Sequence, residues 1–598
     1  MTEKIRSREE IAREDTWAME DLYASDAAWL EDLEKLKTLG AKLPEYAGKL
    51  SASAQTLLEY QKLGEEISVL LDSLANYAQR KSDEDTRNAV YQDLTGKLTK
   101  VWVQLGADTA FEVPELLSIS DEQMEKFYEE VPELNLYRRH FDSIRRKRAH
   151  VLSESEEKLL AMAGEMAGTP EEVYSLFADA DLTFRPALDA NGEEHPITQG
   201  SYIAAMESPD RTLRKNAFES LYAGFGAYKN TVAAMLAGQV KQLEFFSKAR
   251  HYSSPLEASL DATEVPVSVY HELIEAVHQN MDKMHRYMRL RKKLLGVSEL
   301  HMYDLYTPLV AASEERIPFA EAKKTVAQAL GVMGERYGKI LQEGFNNRWI
   351  DVYENTGKRS GAYSAGARVH PYVLLNYTGT LDSEFTLAHE MGHAIHSYLS
   401  NKTQPIVYSD YVIFVAEVAS TCNEALLMQH LLKTTTDKKQ RAYLINHFLE
   451  QFRTTLYRQT MFAEFELKMA ELSTQGVTLT ADVLCEEYRK LNALYYGEDV
   501  VLDEEIALEW ARIPHFYYNY YVFQYATGYA AAIALSEGIL KDGEPAVERY
   551  LGFLSGGCSK SPIELLKGAG VDMTTAEPVN RALAMFSKLL DEMEALTA

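Results

Sequence analysis

The residues best suited to chemistry lie at positions 387–398, which contain the pattern H-E-x-x-H. His389 and His393 are four residues apart, so on a helix both imidazoles lie on one face and can bind one metal ion. Glu390 lies beside them, where its carboxylate can take a proton from a metal-bound water. The same pattern also arises by chance on ordinary helices, so its interpretation depends on the residues around it.

A catalytic zinc site needs a third protein ligand and an open position for water. In one group of zinc peptidases a histidine six residues after the second supplies it, but Leu399 stands there in this chain, and the inverted pattern H-x-x-E-H is absent. The remaining source is a carboxylate from a later helix. Glu417 lies in an otherwise apolar run, where an unpaired carboxylate is costly to bury. We expect Glu417 to bind the metal, and an ordinary salt bridge is the alternative.

Three neighbouring side chains have less specific roles. Glu424 lies two turns after Glu417 on the same helix face, where it can accept the second N–H of a metal-bound histidine or serve as an ordinary carboxylate between helices. His396 shares the histidine face, but a fourth ligand would close the water position, so we expect it to pack beside the site. Cys422 points away from Glu417 around the helix and is expected to be a buried thiol.

The rest of the chain is predicted to be mainly α-helical, with two β-rich patches. Asn191-Gly192 lies between two such stretches and predicts a hairpin. We place a domain boundary there, between a helical N-terminal domain (residues 1–185) and a larger domain that carries the H-E-x-x-H motif (residues 186–598).

The second β-rich patch directly precedes the motif. Residues 369–377 predict a strand, and Pro371 favours an edge position or an irregular start. An exposed strand here could pair with an extended peptide, and a plain structural hairpin is the alternative. Asp382 or Ser383 is expected to cap the helix that carries the histidines.

Composition limits the partners and the compartment. The 598 residues carry a net charge of −28, which disfavours nucleic acid and anionic membranes because both select basic patches. Three scattered cysteines indicate reduced thiols, and neither a signal peptide nor a membrane-spanning run is recognisable. We therefore expect a cytoplasmic protein, whose oligomeric state the sequence does not indicate.

Together, the H-E-M-G-H motif and Glu417-Val418-Ala419-Ser420 resemble the thimet-type oligopeptidase family. Residues 360–364 and 414–421 resemble its oligoendopeptidase F branch, and the likeness covers about residues 181–585. The resemblance implies a large helical two-part fold around a deep substrate channel, one zinc ion, and hydrolysis of internal bonds in short peptides by a metal-activated water. Matched residue by residue, it makes His389, His393 and Glu417 the zinc ligands and Glu390 the general base, so that residues 186–598 form a zinc metallopeptidase catalytic domain.

A tyrosine-rich stretch, residues 512–529, is the candidate for the rest of the site. Tyrosine O–H and histidine N–H groups can stabilise a tetrahedral oxyanion, although an aromatic core helix is the alternative. The resembled family has a histidine and tyrosine cluster here that matches His515 and Tyr520 without gaps, while its later tyrosine falls on Thr527. The tyrosines that could replace it are Tyr518, Tyr525 and Tyr529.

Two other functions are alternatives to the zinc endopeptidase. A zinc carboxypeptidase or dipeptidase on a related helical scaffold would need a fixed cation for the substrate's terminal carboxylate, for which Arg359, Arg368 and Arg512 are candidates. A peptide-binding protein with an inactive site would lack a ligand or the base, and none is missing. The ligand set also tolerates cobalt or manganese.

Overall fold

A computed structural model of the chain describes residues 5–310 and 316–598, and most of them are helical. The α-helices in these ranges are α1 (Asp26–Gly40), α2 (Ala54–Glu84), α3 (Ala89–Asp108), α4 (Glu112–Ser118), α5 (Asp121–Glu130), α6 (Arg138–Arg145), α7 (Glu154–Ala167), α8 (Thr169–Leu176), α9 (Gln199–Glu207), α10 (Arg211–Gly226), α11 (Lys229–Ala249), α12 (Pro255–Asp261), α13 (Val267–His278), α14 (Met281–Leu295), α15 (Phe319–Ala329), α16 (Gly334–Asn346), α17 (Leu381–Thr403), α18 (Ile413–Thr434), α19 (Lys438–Gln451), α20 (Arg458–Thr474), α21 (Ala481–Tyr496), α22 (Phe523–Asp542), α23 (Glu544–Leu554), α24 (Pro562–Ala569) and α25 (Glu577–Thr597).

The strands are short and form three small sheets within the described ranges. They are β1 (Ala187–Leu188), β2 (Glu194–His195), β3 (Leu300–His301), β4 (Ile350–Asp351), β5 (Tyr363–Ala365), β6 (Tyr372–Leu374) and β7 (Val500–Val501). β1 pairs with β2 antiparallel, which confirms the hairpin predicted at Asn191-Gly192. β3 pairs with β7 in parallel, and the third sheet has the order β4-β6-β5. The mainly α fold with a small β region before the motif helix is confirmed.

The chain forms two compact units, each assembled from separated segments. Unit 1 comprises residues 1–149, 315–429 and 535–570, and unit 2 comprises residues 150–314, 430–534 and 571–598. The boundary predicted after residue 185 falls inside the first segment of unit 2. The division into two domains, residues 1–185 and 186–598, and the substrate channel stay predictions. None of the helices in the described ranges has both the length and the hydrophobicity needed to span a lipid bilayer.

The third sheet connects the core of unit 1 to the motif helix. β6 is buried along its whole length and is the central strand, because β4 pairs with it in parallel on one side and β5 antiparallel on the other. Of the two positions that Pro371 favoured, the edge strand is wrong, because both backbone edges of β6 are already used. The other, an irregular start, agrees with β6 beginning at Tyr372, directly after Pro371. Trp17 strengthens this attachment, since its indole N–H donates to the Val373 carbonyl at 2.7 Å.

α17 follows this sheet after a short turn. Its N-cap is Thr380, whose hydroxyl accepts the Ser383 backbone N–H at 3.1 Å, so the cap predicted at Asp382 or Ser383 is wrong by two or three residues. Gly379 precedes the cap with φ of +80°, a left-handed conformation that favours glycine. The sheet and this turn set the position at which α17 begins.

Candidate metal centre

Two helices of unit 1 bring the predicted ligands together. His389 and His393 project from consecutive turns of α17, and Glu417 comes from the first turns of α18. The two histidine Nε2 atoms are 3.2 Å apart, and the Glu417 Oε2 atom is 3.4 Å from His389 Nε2 and 3.5 Å from His393 Nε2. The three atoms thus form a nearly equilateral triangle.

This triangle has the size that a small tetrahedral cation requires. Zinc–nitrogen bonds of about 2.0–2.1 Å in a tetrahedron place neighbouring ligand atoms roughly 3.3 Å apart. The measured separations of 3.2–3.5 Å match that value. The donor set, two imidazoles and one carboxylate, is also that of catalytic zinc sites with an open fourth position. These residues therefore fit a bound zinc ion.

The charges of the cluster favour a cation as well. Burial raises the pKa of Glu417, but hydrogen bonds and charges from His389 and His393 outweigh it and hold that pKa well below its usual range. Burial lowers the pKa of His389, but hydrogen bonds to Glu417 and Glu424 raise it well above its ordinary value. The carboxylates thus stabilise positive charge at the point where the ligand atoms converge.

Two side chains orient the ligands. The Glu424 carboxylate pairs with His389 Nδ1, the ring nitrogen that is not part of the triangle. The Ser420 hydroxyl lies 3.1 Å from Glu417 Oε2 and 3.0 Å from the Glu417 carbonyl oxygen, and its single proton can be donated to either. A proton held on Nδ1 leaves the Nε2 lone pair directed toward the triangle, as is usual for metal-bound histidines. The interpretation of Glu424 as a partner of a liganding histidine agrees with this placement.

The close approach of α17 and α18 depends on Gly392, a residue that the sequence analysis did not single out. A Cβ atom at Gly392 would lie 2.6 Å from the Ser420 Cα and 2.7 Å from the Ala419 carbonyl oxygen. Both atoms belong to the backbone and cannot rotate away. Glycine in a helix interior is destabilising relative to alanine, so its place inside H-E-M-G-H was a signal of such an approach.

A buried hydrogen-bond chain fixes the same crossing. The Asn423 side-chain amide donates to the Ala388 carbonyl at 3.0 Å, and its oxygen accepts the Tyr337 hydroxyl at 2.7 Å. Tyr337 and Asn423 are fully buried, so each unpaired group would carry a desolvation penalty. This chain of hydrogen bonds links α16 to α18 and α18 to α17, where it ends at Ala388, one residue before His389.

Glu390 lies on the buried side of α17, next to the ligand triangle. Its side chain is 6 % exposed, and its Oε2 atom has no hydrogen-bond partner among the described residues. Burial raises its pKa above the ordinary value for glutamate, while the charges of His389 and His393 partly oppose the shift. The carboxyl group is therefore a stronger base than an exposed glutamate and keeps one oxygen available for a proton.

The other side chains near the motif are structural. His396 is 1 % exposed and stacks on Tyr411 with ring centroids 3.8 Å apart, which agrees with its expected packing role. Burial lowers its pKa to about 3, so it is neutral at physiological pH. Cys422 is fully buried, as expected, and burial raises the pKa of its thiol to about 12.

His515 lies in unit 2 within a group of tyrosine rings. The rings around it belong to Tyr518, Tyr521 and Tyr525, with centroids 5.5, 6.3 and 6.0 Å from its own. Tyr518 is exposed and the other two are half-buried. Burial, with a smaller effect from the charge of Arg458, lowers the pKa of His515. Its imidazole is therefore neutral at neutral pH and carries one N–H donor.

Tyr520 points away from this group. Asn519 and Tyr520 have φ of +56° and +58°, a left-handed conformation that is strained for a side chain as bulky as tyrosine. The Tyr520 ring is 4 % exposed and packs against Tyr270, with centroids 5.8 Å apart. Its N–H donates to Glu466 Oε1 at 3.1 Å. The catalytic role of Tyr520 stays a prediction, and Tyr521, which the sequence analysis did not propose, lies beside His515 instead.

The mainly helical fold and the His389, His393 and Glu417 cluster together define a metallopeptidase. Comparison with known proteins agrees. The profile of Peptidase family M3 matches residues 204–585, and that of Oligopeptidase F matches residues 115–184. Oligopeptidase PepF of Bacillus subtilis is 47 % identical over 594 residues, which cover 99 % of this chain and 89 % of that protein.

Two solved structures have the same fold. A structure from Chlamydophila abortus gives a TM-score of 0.93 at 35 % identity, covering 99 % of this chain and 100 % of that one. Oligoendopeptidase-F from Enterococcus faecium gives 0.75 at 38 % identity, covering 96 % and 99 %. The chain belongs to peptidase family M3, and it is a hydrolase of the metallo-oligopeptidase type.

Proposed function

We propose that the protein is a zinc-dependent endopeptidase that hydrolyses internal bonds of short peptides. The observation that supports this most strongly is the triangle of His389, His393 and Glu417 atoms with the buried Glu390 carboxyl beside it. The relatives' names, oligopeptidase PepF and oligoendopeptidase F, support action on internal bonds of oligopeptides. The net charge of −28 supports the absence of nucleic acid and anionic membranes as partners.

His389, His393 and Glu417 would hold the zinc ion. When bound, zinc acts as a Lewis acid that polarises the scissile carbonyl and lowers the pKa of water. Glu424 keeps the proton of His389 on Nδ1, so that Nε2 remains a donor to the metal. Ser420 restricts the rotation of the Glu417 carboxylate through its hydroxyl. These contacts prepare the ligand set before substrate binds.

Glu390 is the proposed proton carrier. Its carboxylate, whose Oε2 atom is held by no hydrogen bond among the described residues, can accept a proton from the attacking water and return it to the nitrogen of the leaving amine. Burial raises the pKa of this carboxyl group, which strengthens it as a base. His515 and Tyr520 are the predicted oxyanion donors on the family resemblance, and the neutral imidazole of His515 suits an N–H donor.

Two of the three arginines that a carboxypeptidase could use already have partners. Arg512 pairs with Glu509 at 3.7 Å and lies over the Tyr202 ring, and Arg359 is 3.5 Å from Asp83. The buried Nη1 atom of Arg368 has no hydrogen-bond partner among the described residues, so Arg368 remains the candidate cation of that alternative. We favour the endopeptidase because the relatives' names support it and because it needs no fixed cation for a chain end.

A peptide acetylated at its amino terminus and amidated at its carboxyl terminus tests this proposal. Mass spectrometry should show internal cleavage that a chelator abolishes and zinc restores. Glu390→Gln should retain zinc but lose at least about a hundredfold in kcat, the usual scale of general-base catalysis. Glu335→Gln, at an exposed surface pair, is the matched control and should stay fully active. Full activity of zinc-loaded Glu390→Gln would exclude the mechanism, and cleavage restricted to unblocked peptides would exclude the endopeptidase.

A further inference from the structure

Unit 1 contains a cavity of about 310 Å³ that shares no residue with the metal centre. It lies between α2 and α3 and is closed by the start of α4, by the residues at the start of α6, and by Ile406 and Val407. Small-molecule sites measure roughly 300–1,000 Å³, so this cavity has the size for one ligand of amino-acid dimensions.

The walls of the cavity are apolar and aromatic. Leu105 and Ile67 are buried in them, while Trp102 is 66 % exposed at the edge. Covering the large Trp102 ring would remove apolar surface from water, which is favourable. Its π face can also attract a cation. The walls therefore suit an apolar body that carries positive charge.

The polar part of the cavity contains two acidic side chains, Glu65 and Glu112. Glu112 accepts the Tyr60 hydroxyl at 3.0 Å, and burial raises the pKa of Glu112. Glu65 lies beside Tyr137, and its buried Oε1 atom has no hydrogen-bond partner among the described residues. Glu65 and Glu112 are both half-buried, and removing a carboxylate from water without a cationic partner is unfavourable. Both acids would gain from a cationic hydrogen-bond donor.

Among the described residues, no lysine or arginine lines the cavity. His140 is the one basic side chain in this part of the lining, and burial lowers its pKa, so it is neutral at physiological pH. Of the described lining residues, only Glu65 and Glu112 carry a charge. Their charge selects a cationic ligand.

We propose that this cavity binds a small primary amine with an apolar body, with its ammonium group against Glu65 and Glu112 and its body against Trp102. The chemistry is shared by a free aromatic amine and by the amino terminus of a peptide that begins with a large apolar residue. Because none of His389, His393, Glu417 and Glu390 takes part, binding does not depend on the metal or on peptide hydrolysis.

Isothermal titration of the full-length, chelator-treated protein tests the proposal with three probes. Tryptamine carries the ammonium group on an indole, tryptophanamide adds a peptide-like amide, and indole-3-propionate has the same ring with the opposite charge. We expect saturable binding of the two amines and none of the acid. Tighter binding of tryptophanamide than of tryptamine assigns the site to peptide amino termini, and the reverse order assigns it to free amines.

Matched variants locate the binding. Glu65→Gln and Glu112→Gln should each weaken tryptamine binding by about tenfold or more, the scale of a hydrogen bond to a charged group. The exposed Glu122→Gln is their control and should bind as the wild type does. Trp102→Ala should also weaken binding, whereas its exposed neighbour Val103→Ala should not.

Four results would overturn the proposal: no saturable heat with millimolar tryptamine, equal binding of indole-3-propionate, unchanged tryptamine affinity in both glutamine variants, or unchanged tryptamine affinity in Trp102→Ala. Trp102 is exposed, so its variant should fold even if a glutamine variant does not, and it keeps the test decisive. Every titration uses chelator-treated protein, so a failure to bind tryptamine would not bear on the proposed peptidase function. Likewise, a lack of peptide hydrolysis would not bear on amine binding in this cavity.

Discussion

Replacing Gly392 with alanine is expected to weaken metal binding, although glycine has no side chain that could bind the metal or contact its ligands. The added Cβ would lie 2.6 Å from the Ser420 Cα, whereas ordinary van der Waals contact begins near 3.4 Å. The helices must therefore separate by about 0.8 Å (3.4 − 2.6) to accept it, because both clashing atoms are backbone atoms.

The separation has a direct effect on the ligand triangle. Glu417 lies three residues before Ser420 on α18 and would move with that helix, away from His389 and His393. Metal sites tolerate ligand displacements of about 0.2 Å, so a shift of about 0.8 Å exceeds the tolerance several times. We expect zinc affinity to fall roughly 10- to 100-fold, the scale seen when a residue that orients a metal ligand is lost. Overpacking should also destabilise the protein by about 1–3 kcal/mol.

A competition titration with a chromogenic zinc chelator measures the affinity, and kcat/KM on a blocked peptide at saturating zinc measures recovery. Gly338→Ala is the matched control, because Gly338 lies in the neighbouring α16 and its Cβ would meet no atom within 4 Å. That variant should keep its zinc affinity and gain up to about 1 kcal/mol of helix stability. If Gly392→Ala bound zinc as tightly as Gly338→Ala, the crossing of α17 and α18 would not set the geometry of the site.

Three further perturbations test the site and its supporting helix. Glu424→Gln removes the negative charge next to His389 Nδ1 and should lower zinc affinity by about tenfold or more in the same titration; an unchanged affinity would show that the contact does not orient the ring. Chelation should lower the unfolding temperature of the wild type but not of His393→Ala, because a ligand at 100 times its Kd adds about 2.7 kcal/mol to the folded state; an equal drop in both would place the stabilising metal elsewhere. Glu384→Gln should remove a pH dependence of the free energy of unfolding. Glu384 is 2 % exposed, and burial raises its pKa to about 7. Between pH 4.5 and 7 the folded chain therefore keeps a proton on this carboxyl group that the unfolded chain loses. Stability of the wild type should thus fall by up to about 3 kcal/mol as pH rises through this window, and identical thermal profiles of wild type and variant from pH 5 to pH 8 would contradict this assignment.

The cluster of His389, His393 and Glu417 was predictable because its geometry is mostly local. The spacing of His389 and His393 fixes a shared helix face, and the burial cost of a lone carboxylate marks Glu417 in its apolar run. The crossing that brings Glu417 to the histidines was not predicted. It depends on the absence of a side chain at Gly392, and an interior glycine is a weak signal until the facing helix is known.

Non-local pairing explains the errors in the β region. β6 looked like an edge strand because Pro371 lies just before it, but its second partner, β4, lies about 20 residues upstream and has no turn signal linking the two. Asp382 and Ser383 were reasonable caps by composition, yet Thr380 already satisfies the first turn. Local patterns thus predicted which elements form here but not which strand is central.

The tyrosine-rich stretch shows a different limit. An uninterrupted helix would have placed its rings at regular angles, but the chain turns at Asn519 and Tyr520 through two left-handed residues. This turn directs the Tyr520 ring into the core and leaves Tyr521 beside His515. Backbone conformations of this kind are rare for tyrosine and cannot be read from residue type, so the positions of the individual rings could not be predicted.

The segmented assembly of unit 1 determines when its packing can be completed during synthesis. His396 packs against Phe553 with ring centroids 5.4 Å apart, and the Gln404 side chain donates to the Ser555 carbonyl at 2.9 Å. The ribosome must therefore add about 160 residues after the motif before this side of α17 is covered, which takes roughly 8–32 s at 5–20 residues per second. During that interval the nascent chain carries the whole H-E-x-x-H motif without its final packing. We therefore expect no peptidase activity from a nascent chain that ends before Phe553.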